Sequence, residues 1–149
     1  MSVSAYPFKG RRKARKFVLQ SLYGWSITGN NLIEIEHDLL IEKRHAQFDV
    51  AYYQILLKDI PNQLTDLDLN ISNYLIDLAL KEIDIVELTV LRIATYEFMF
   101  CLEIPYKVII DEALILTKKF GSIEGFKFIN GVLDKMAQSL RQSEYQSKY

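Results

Sequence analysis

Few residues in this chain are spaced for bond-making chemistry. Glu34 with His37 and Glu42 with His45 repeat the Glu-x-x-His unit of carboxylate-bridged di-iron bundles. Such a centre needs its units on separate facing helices with further glutamates between them, whereas both pairs here fall on one short helix and its exit, so no metal is expected. Asp111 and Glu112 are adjacent, hence about 100° apart on a helix, and cannot act as a matched acid and base; a solvated or partner-facing edge is expected instead. Cys101, the only cysteine, lies among Phe98, Met99, Phe100 and Leu102 and reads as a core residue rather than a nucleophile. No glycine-rich phosphate loop is present, which leaves nucleotide hydrolysis without support. The reading is of a protein that is not an enzyme and needs no cofactor.

Two clusters remain, and their chemistry is binding. In Lys9 to Trp25, KGRRKARKFVLQSLYGW, a run of cations passes directly into an apolar helical pattern. Ala14, Val18, Leu22 and Trp25 form one stripe with Phe17 beside it, the spacing that buries a helix face. Lys9, Arg11, Arg12, Lys13, Arg15 and Lys16 gather at the opposite sequence end of that helix. A helix N-terminus already carries positive partial charge and ordinarily collects Asp and Glu. Six cations there are expected to face solvent or an anion, and a docked polyanion would relieve their mutual repulsion. In the second cluster, Lys118, Lys119 and Lys127 surround Phe126 and Phe128 at a helix start. Unpaired bases stack on rings while cations neutralise phosphates, so this combination suits single-stranded RNA, with one of the two rings expected to be exposed.

The elements that must position these clusters are helices. Between Asn30 and Phe120 there is no glycine and only Pro61 and Pro105, so the turn chemistry of a many-stranded sheet is missing. After the first helix, Asn31 can cap a second that runs to about Lys43, and a third starts near Gln47 and is kinked or ended by Pro61. Leu64 to Leu80 holds one more helix or two short ones. Asp84 opens the most apolar helix, with Glu87 placed as its capping-box partner. Pro105 opens the next, which Gly121 is placed to cap, and the last runs from about Glu124 to Arg141. Residues 1–8 are expected to form a flexible arm, 9–142 a single RNA-binding helical domain, and 143–149 a polar tail that frays.

With 149 residues, half of them hydrophobic, the chain can bury a substantial core. The net charge of −1 is unevenly spread: residues 1–33 carry +6, residues 34–112 carry −10 and residues 113–149 carry +3. Such a polarised chain can offer a cationic face to nucleic acid and an anionic one to a basic protein. One cysteine, no signal-like apolar segment and no apolar run of membrane-spanning length point to a cytoplasmic protein without membrane contact.

Four segments, GRRKARKFVLQSLYGW at 10–25, VLRIATYE at 90–97, IPYKVIIDEALILTKKFG at 104–121 and KFINGVLDK at 127–135, together resemble the NusB family of bacterial transcription antitermination factors. The resemblance covers nearly the whole chain. It implies an all-α fold of about seven helices in two small bundles packed across each other. It further implies that the chain, with the small-subunit ribosomal protein NusE, binds the boxA segment of nascent RNA on ribosomal RNA operons, with other Nus factors and RNA polymerase as indirect partners. Carried over position by position, it assigns RNA contacts to Arg11, Arg12, Arg15, Gln20, Tyr23, Glu124, Lys127 and Phe128, and a NusE contact to Glu87. Arg92 and Glu97 are assigned to the scaffold. NusB-like domains also precede ribosomal RNA methyltransferase domains, but no such domain is expected within this chain. A helical protein-interaction module, or a homodimer without RNA binding, is the alternative.

Overall fold

The computed structural model describes residues 9–147, and its residues fall into two compact units divided between Asn62 and Gln63. The expectation for an arm at 1–8 lies outside the described residues. Among those residues the secondary structure is entirely helical, with eight α-helices where about seven were expected.

The first unit contains α1 (Lys9–Thr28), α2 (Leu32–Glu42) and α3 (Val50–Asn62). Gly29, at φ +70°, ends α1 in the left-handed conformation that favours glycine, and Asn31 caps α2 by accepting the Ile33 N–H at 2.8 Å. The core is built from Ala14, Phe17, Val18 and Leu22 of α1 against Tyr52, Tyr53, Leu56 and Ile60 of α3. Phe48, just ahead of α3, packs edge-on to Phe17 with ring centroids 4.8 Å apart. Trp25, expected on the buried stripe, is only half-buried. One polar pair is enclosed here: Ser21 Oγ and Tyr53 Oη lie 2.8 Å apart, and burial pushes the tyrosine pKa up to about 12, so it stays protonated as a hydrogen-bonding phenol. Pro61 sits in the last turn of α3, which ends one residue later, so the proline stops this helix rather than kinking a longer one.

The second unit contains α4 (Leu64–Ser72), a single 3₁₀ turn at Leu80–Glu82, α5 (Ile85–Phe100), α6 (Tyr106–Phe120), α7 (Ile123–Leu140) and α8 (Gln142–Gln146). The apolar pattern through Leu80 yields one short α-helix and the turn, with Asp77 at φ +52° breaking the chain between them. As expected for its all-round apolar character, α5 is buried from Leu88 to Phe98 except at Arg92. Arg92 forms a bidentate pair with Asp68 of α4 at 2.8 and 2.9 Å, and Glu97 is 1% exposed, so both belong to the scaffold.

Arg141 organises the far end of this unit. It is 6% exposed, and its guanidinium donates to the carbonyls of Phe98 (3.0 Å), Ile104 (2.9 Å), Glu97 (3.2 Å) and Cys101 (3.0 Å), closing the corner between α5 and α6. Five N–H donors in a rigid fork can serve several helix-end carbonyls at once. The segment after it does not fray up to Gln146: α8 docks through Tyr145, whose hydroxyl donates to Asp134 at 3.0 Å and whose ring lies 5.1 Å from that of Tyr106. Glu144 accepts the Tyr106 N–H and an Arg141 N–H, both at 2.8 Å, which removes the solvation that would favour a loose tail.

Candidate nucleic-acid interface

The first part of the candidate site lies on α1. Taking Arg12 as reference, Lys16, Gln20 and Tyr23 follow at i+4, i+8 and i+11, and Lys9 and Lys13 fall on the same roughly 100° arc at 100° per residue. Arg12, Lys13, Gln20 and Tyr23 are exposed along this arc, and Lys16 is half-buried with its Nζ 5.0 Å from the Phe17 ring centroid. From Arg12 to Tyr23 the stripe runs about 16 Å at 1.5 Å per residue. It presents cations at one end and a hydrogen-bonding amide and phenol at the other.

The remaining two arginines of the cluster sit elsewhere on the helix. Arg11 is half-buried, with its guanidinium carbon 4.4 Å from the Tyr52 ring centroid and its Nε 3.8 Å from Asp49 Oδ2. Arg15 is 4% exposed, with its guanidinium 5.6 Å from the same ring. Of the two outcomes expected for the six cations, solvent or an anion, the first does not hold for Arg15. At i−3 from Val18 it lies beside the buried stripe, where its methylene stem packs and the electron-rich face of Tyr52 receives the charge. Sequence reasoning placed Lys16 in the basic cluster but not among the assigned RNA contacts, although its i+4 spacing from Arg12 was readable. It also missed Tyr52 and Asp49, whose role depends on how α3 meets α1.

The second part lies where α6 gives way to α7. Gly121 caps α6 by donating to Thr117 O at 2.7 Å, but in extended rather than left-handed backbone. Glycine is required there by proximity, since an added Cβ would lie 2.9 Å from that same carbonyl oxygen. Ser122 then caps α7, accepting the Gly125 N–H at 2.9 Å. Glu124 and Lys127 are exposed on the first turns, and Phe128 is half-buried one turn beyond Glu124. Phe126 is also half-buried, so neither ring is exposed in the way anticipated for one of them. A cleft of about 300 Å³ opens beside these residues, lined by Lys118, Gly121, Ser122, Ile123, Phe126 and Lys127, with Ile123 77% exposed. An apolar hollow rimmed by two lysines suits a flat ring attached to negative charge.

Glu87 departs from its expected local role. Asp84 does cap α5, accepting the Val86 and Glu87 N–H groups at 3.1 and 3.3 Å, but the Glu87 carboxylate turns toward α7, where it lies against Gly125. Burial first, then the charges of Asp84 and Glu124, push its pKa up, against the lowering effect of Ser122. Among the sites considered for catalysis, Glu112 is buried while Asp111 is exposed, so they do not form one solvated edge, and Cys101 is buried as expected. Glu34, His37, Glu42 and His45 are all exposed on α2 or just beyond it.

Among the described residues the fold is all-helical, with a basic stripe on α1 that continues into polar and aromatic side chains. The NusB family profile matches residues 12–138, and the chain belongs to the NusB family. It is 44% identical over 126 residues to the transcription antitermination protein NusB of Shewanella halifaxensis, covering 85% of this chain and 93% of that one. Among solved structures, NusB of T. maritima is 30% identical with a TM-score of 0.79, covering 91% of this chain and 96% of that one. A chain from a crystal structure of antitermination factors NusB and NusE in complex with dsRNA has the same fold, with a TM-score of 0.79 at 24% identity over 89% of this chain and 98% of that one. No described helix is long and apolar enough to cross a membrane.

Proposed function

We propose that this chain is a transcription antitermination factor that binds single-stranded boxA-type RNA of ribosomal RNA operon transcripts together with NusE. The observation that carries the reading is the arc of Arg12, Lys16, Gln20 and Tyr23, in which cations are followed along one helix face by groups able to hydrogen-bond and stack. Arg12 and Lys16, with Lys9 and Lys13, neutralise phosphates; Gln20 and Tyr23 meet bases. Arg11 contributes from the edge of the arc, and Arg15 acts from beneath by holding Tyr52 and thereby the position of Arg11. Lys127 supplies a second phosphate contact, Phe128 a partly covered ring, and Glu124 a polar neighbour that disfavours phosphate at its own position. Glu87 faces NusE, and the acidic middle of the chain suits a basic ribosomal protein.

The function is coupled binding without catalysis, exercised in the cytoplasm. The name carried by the Shewanella relative supports antitermination, and the fold shared with a NusB crystallised with NusE and dsRNA supports the partner and the ligand class. The test is fluorescence anisotropy of a boxA-like RNA, single-stranded and as a duplex, titrated with the chain alone and with NusE at two salt concentrations. Tighter binding of the single strand with NusE, weakened by salt and by Arg12→Ala, is expected. Absence of RNA binding under all conditions would refute the reading and leave a protein-only module. Preference for the duplex would refute the single-stranded part of it.

A further inference from the structure

Two ammoniums from different elements share the Phe17 ring of α1. Lys16 Nζ lies 5.0 Å from its centroid and Lys43 Nζ lies 5.4 Å from it. Lys43 caps the end of α2, donating its backbone N–H to Leu39 O at 2.8 Å. Phe17 is 3% exposed, whereas both lysines are half-buried, so the ring holds each stem against the protein and leaves the charged end at the surface. The next cation is used differently: Arg44 donates from its guanidinium to Ile41 O at 2.8 Å and closes the end of α2. Glu42 Oε1 lies 3.8 Å from Lys43 Nζ on an exposed side chain, a loose pair that water and salt screen. At 100° per residue, Phe17 and Arg15 lie on opposite sides of Lys16. Lys43 therefore flanks the arc of Arg12, Lys16, Gln20 and Tyr23 on one side, and Arg11 and Arg15, against Tyr52, flank it on the other.

We infer that Lys43 is a further phosphate-binding residue which, paired with Lys16 at the Phe17 ring, extends the RNA surface of α1 onto the end of α2. This rests on the functional reading above, in which the α1 arc faces single-stranded RNA. Both ammoniums approach one ring, so they lie no further apart than about one Debye length at 0.1 M salt, ~10 Å, and repel each other. A phosphate placed between them turns that repulsion into two charge-assisted contacts. The ring fixes both stems beforehand, so little side-chain freedom is lost when the phosphate arrives. Neutralising the carbonyl end of α2 does not account for Lys43, because Arg44 serves that end while the Lys43 ammonium leans toward α1. Lys16 stands midway between Arg12 and Gln20 on the arc, where cations give way to groups that meet bases. A strand held there has its backbone on the Phe17 side and its bases turned toward Gln20 and Tyr23.

The experiment uses the full chain with NusE, comparing the unaltered protein with Lys43→Met, Lys43→Arg and Lys58→Met, each checked for native helical content. Methionine keeps an apolar stem on Phe17 and removes the charge. Lys58, exposed on α3 beside the start of α2, loses the same charge at the other end of that helix. Affinity for a boxA-like single strand is measured by anisotropy at 0.1 and 0.3 M salt. In parallel, the unaltered complex is acetylated with acetic anhydride with and without RNA, and each lysine is read by mass spectrometry. Lys43→Met is expected to weaken binding about 5-fold at 0.1 M salt and about 2-fold at 0.3 M, as for one phosphate contact with a salt exponent of about 0.7. Lys43→Arg should recover most of that loss, and Lys58→Met should show much less of it. RNA should protect Lys16 and Lys43 from acetylation and leave Lys58 reactive. Undiminished affinity in Lys43→Met, an equal loss in Lys58→Met, or Lys43 as reactive with RNA as without it would each overturn the inference. Protection of Lys16 without protection of Lys43 overturns it alone and leaves the functional reading standing, whereas no RNA binding by the unaltered complex overturns both.

Discussion

Removing Arg141 should destabilise the second unit by an amount that can be worked from its contacts. Of the four carbonyls it serves, Glu97 O also accepts the Cys101 N–H at 3.0 Å and Cys101 O also accepts the Ile104 N–H at 2.9 Å. Phe98 O and Ile104 O therefore depend most on the guanidinium. A buried acceptor deprived of its donor costs about 1–3 kcal/mol, so the two together cost about 2–6 kcal/mol. Each kcal/mol lowers the melting temperature by about 2–4 °C in a chain of this size, and a loss near 4 kcal/mol therefore corresponds to about 8–16 °C. Arg141→Met is the informative substitution, because it fills most of the volume and supplies no donor. Arg141→Lys, with a single ammonium unable to span the set, should fall between methionine and wild type. Thermal unfolding followed by far-ultraviolet circular dichroism measures all three. A methionine variant melting within about 2 °C of wild type, less than 1 kcal/mol, would refute the assignment of these carbonyls to Arg141.

Arg12→Ala should weaken RNA binding and reduce the salt slope by about 0.7, as for one exposed phosphate contact on a single strand. Arg15→Ala should lower the melting temperature and weaken RNA binding together, because this side chain is enclosed against Tyr52; calorimetry beside anisotropy separates the two variants. The Glu87 pKa is raised above its ordinary 4.5, so ionisation opposes folding: the stability this group contributes is present below that ordinary value and lost as pH rises through the raised one. Glu87→Gln should consequently be more stable relative to wild type at pH 7 than at pH 4, measured by thermal melts at both. Gly125→Ala should displace the Glu87 carboxylate and lower the melting temperature while preserving the charge at position 87, read by thermal unfolding.

Helix order was legible in the sequence because capping and periodicity are local. Asn31 and Asp84 cap the helices they precede, and the all-round apolar character of α5 marked it as the most buried helix of its unit. What stayed hidden depends on contacts distant in sequence. Arg15 read as a surface cation because no local rule places Tyr52 opposite it, and Glu87 read as a capping-box partner because Gly125, which its carboxylate meets, lies 38 positions further along. The docking of α8 was missed for a similar reason: a polar composition predicts solvation, whereas Tyr145 finds Asp134 and Tyr106. Of the proposed RNA residues, the basic helix was recognisable from charge, but the enclosure of Arg15 beside an exposed Arg12 and Lys13 needed the burial of each side chain.

The Arg141 clasp also imposes an order on synthesis. Its acceptors precede it by 37 to 44 residues. During translation at about 5–20 residues per second, the corner between α5 and α6 therefore exists for about 2–8 s before its arginine is made. In that interval the carbonyls of Phe98 and Ile104 lack the donor that Arg141 later supplies. The second unit must accordingly complete its folding after residue 141 has cleared the ribosome, whereas the helices of the first unit are all made by residue 62.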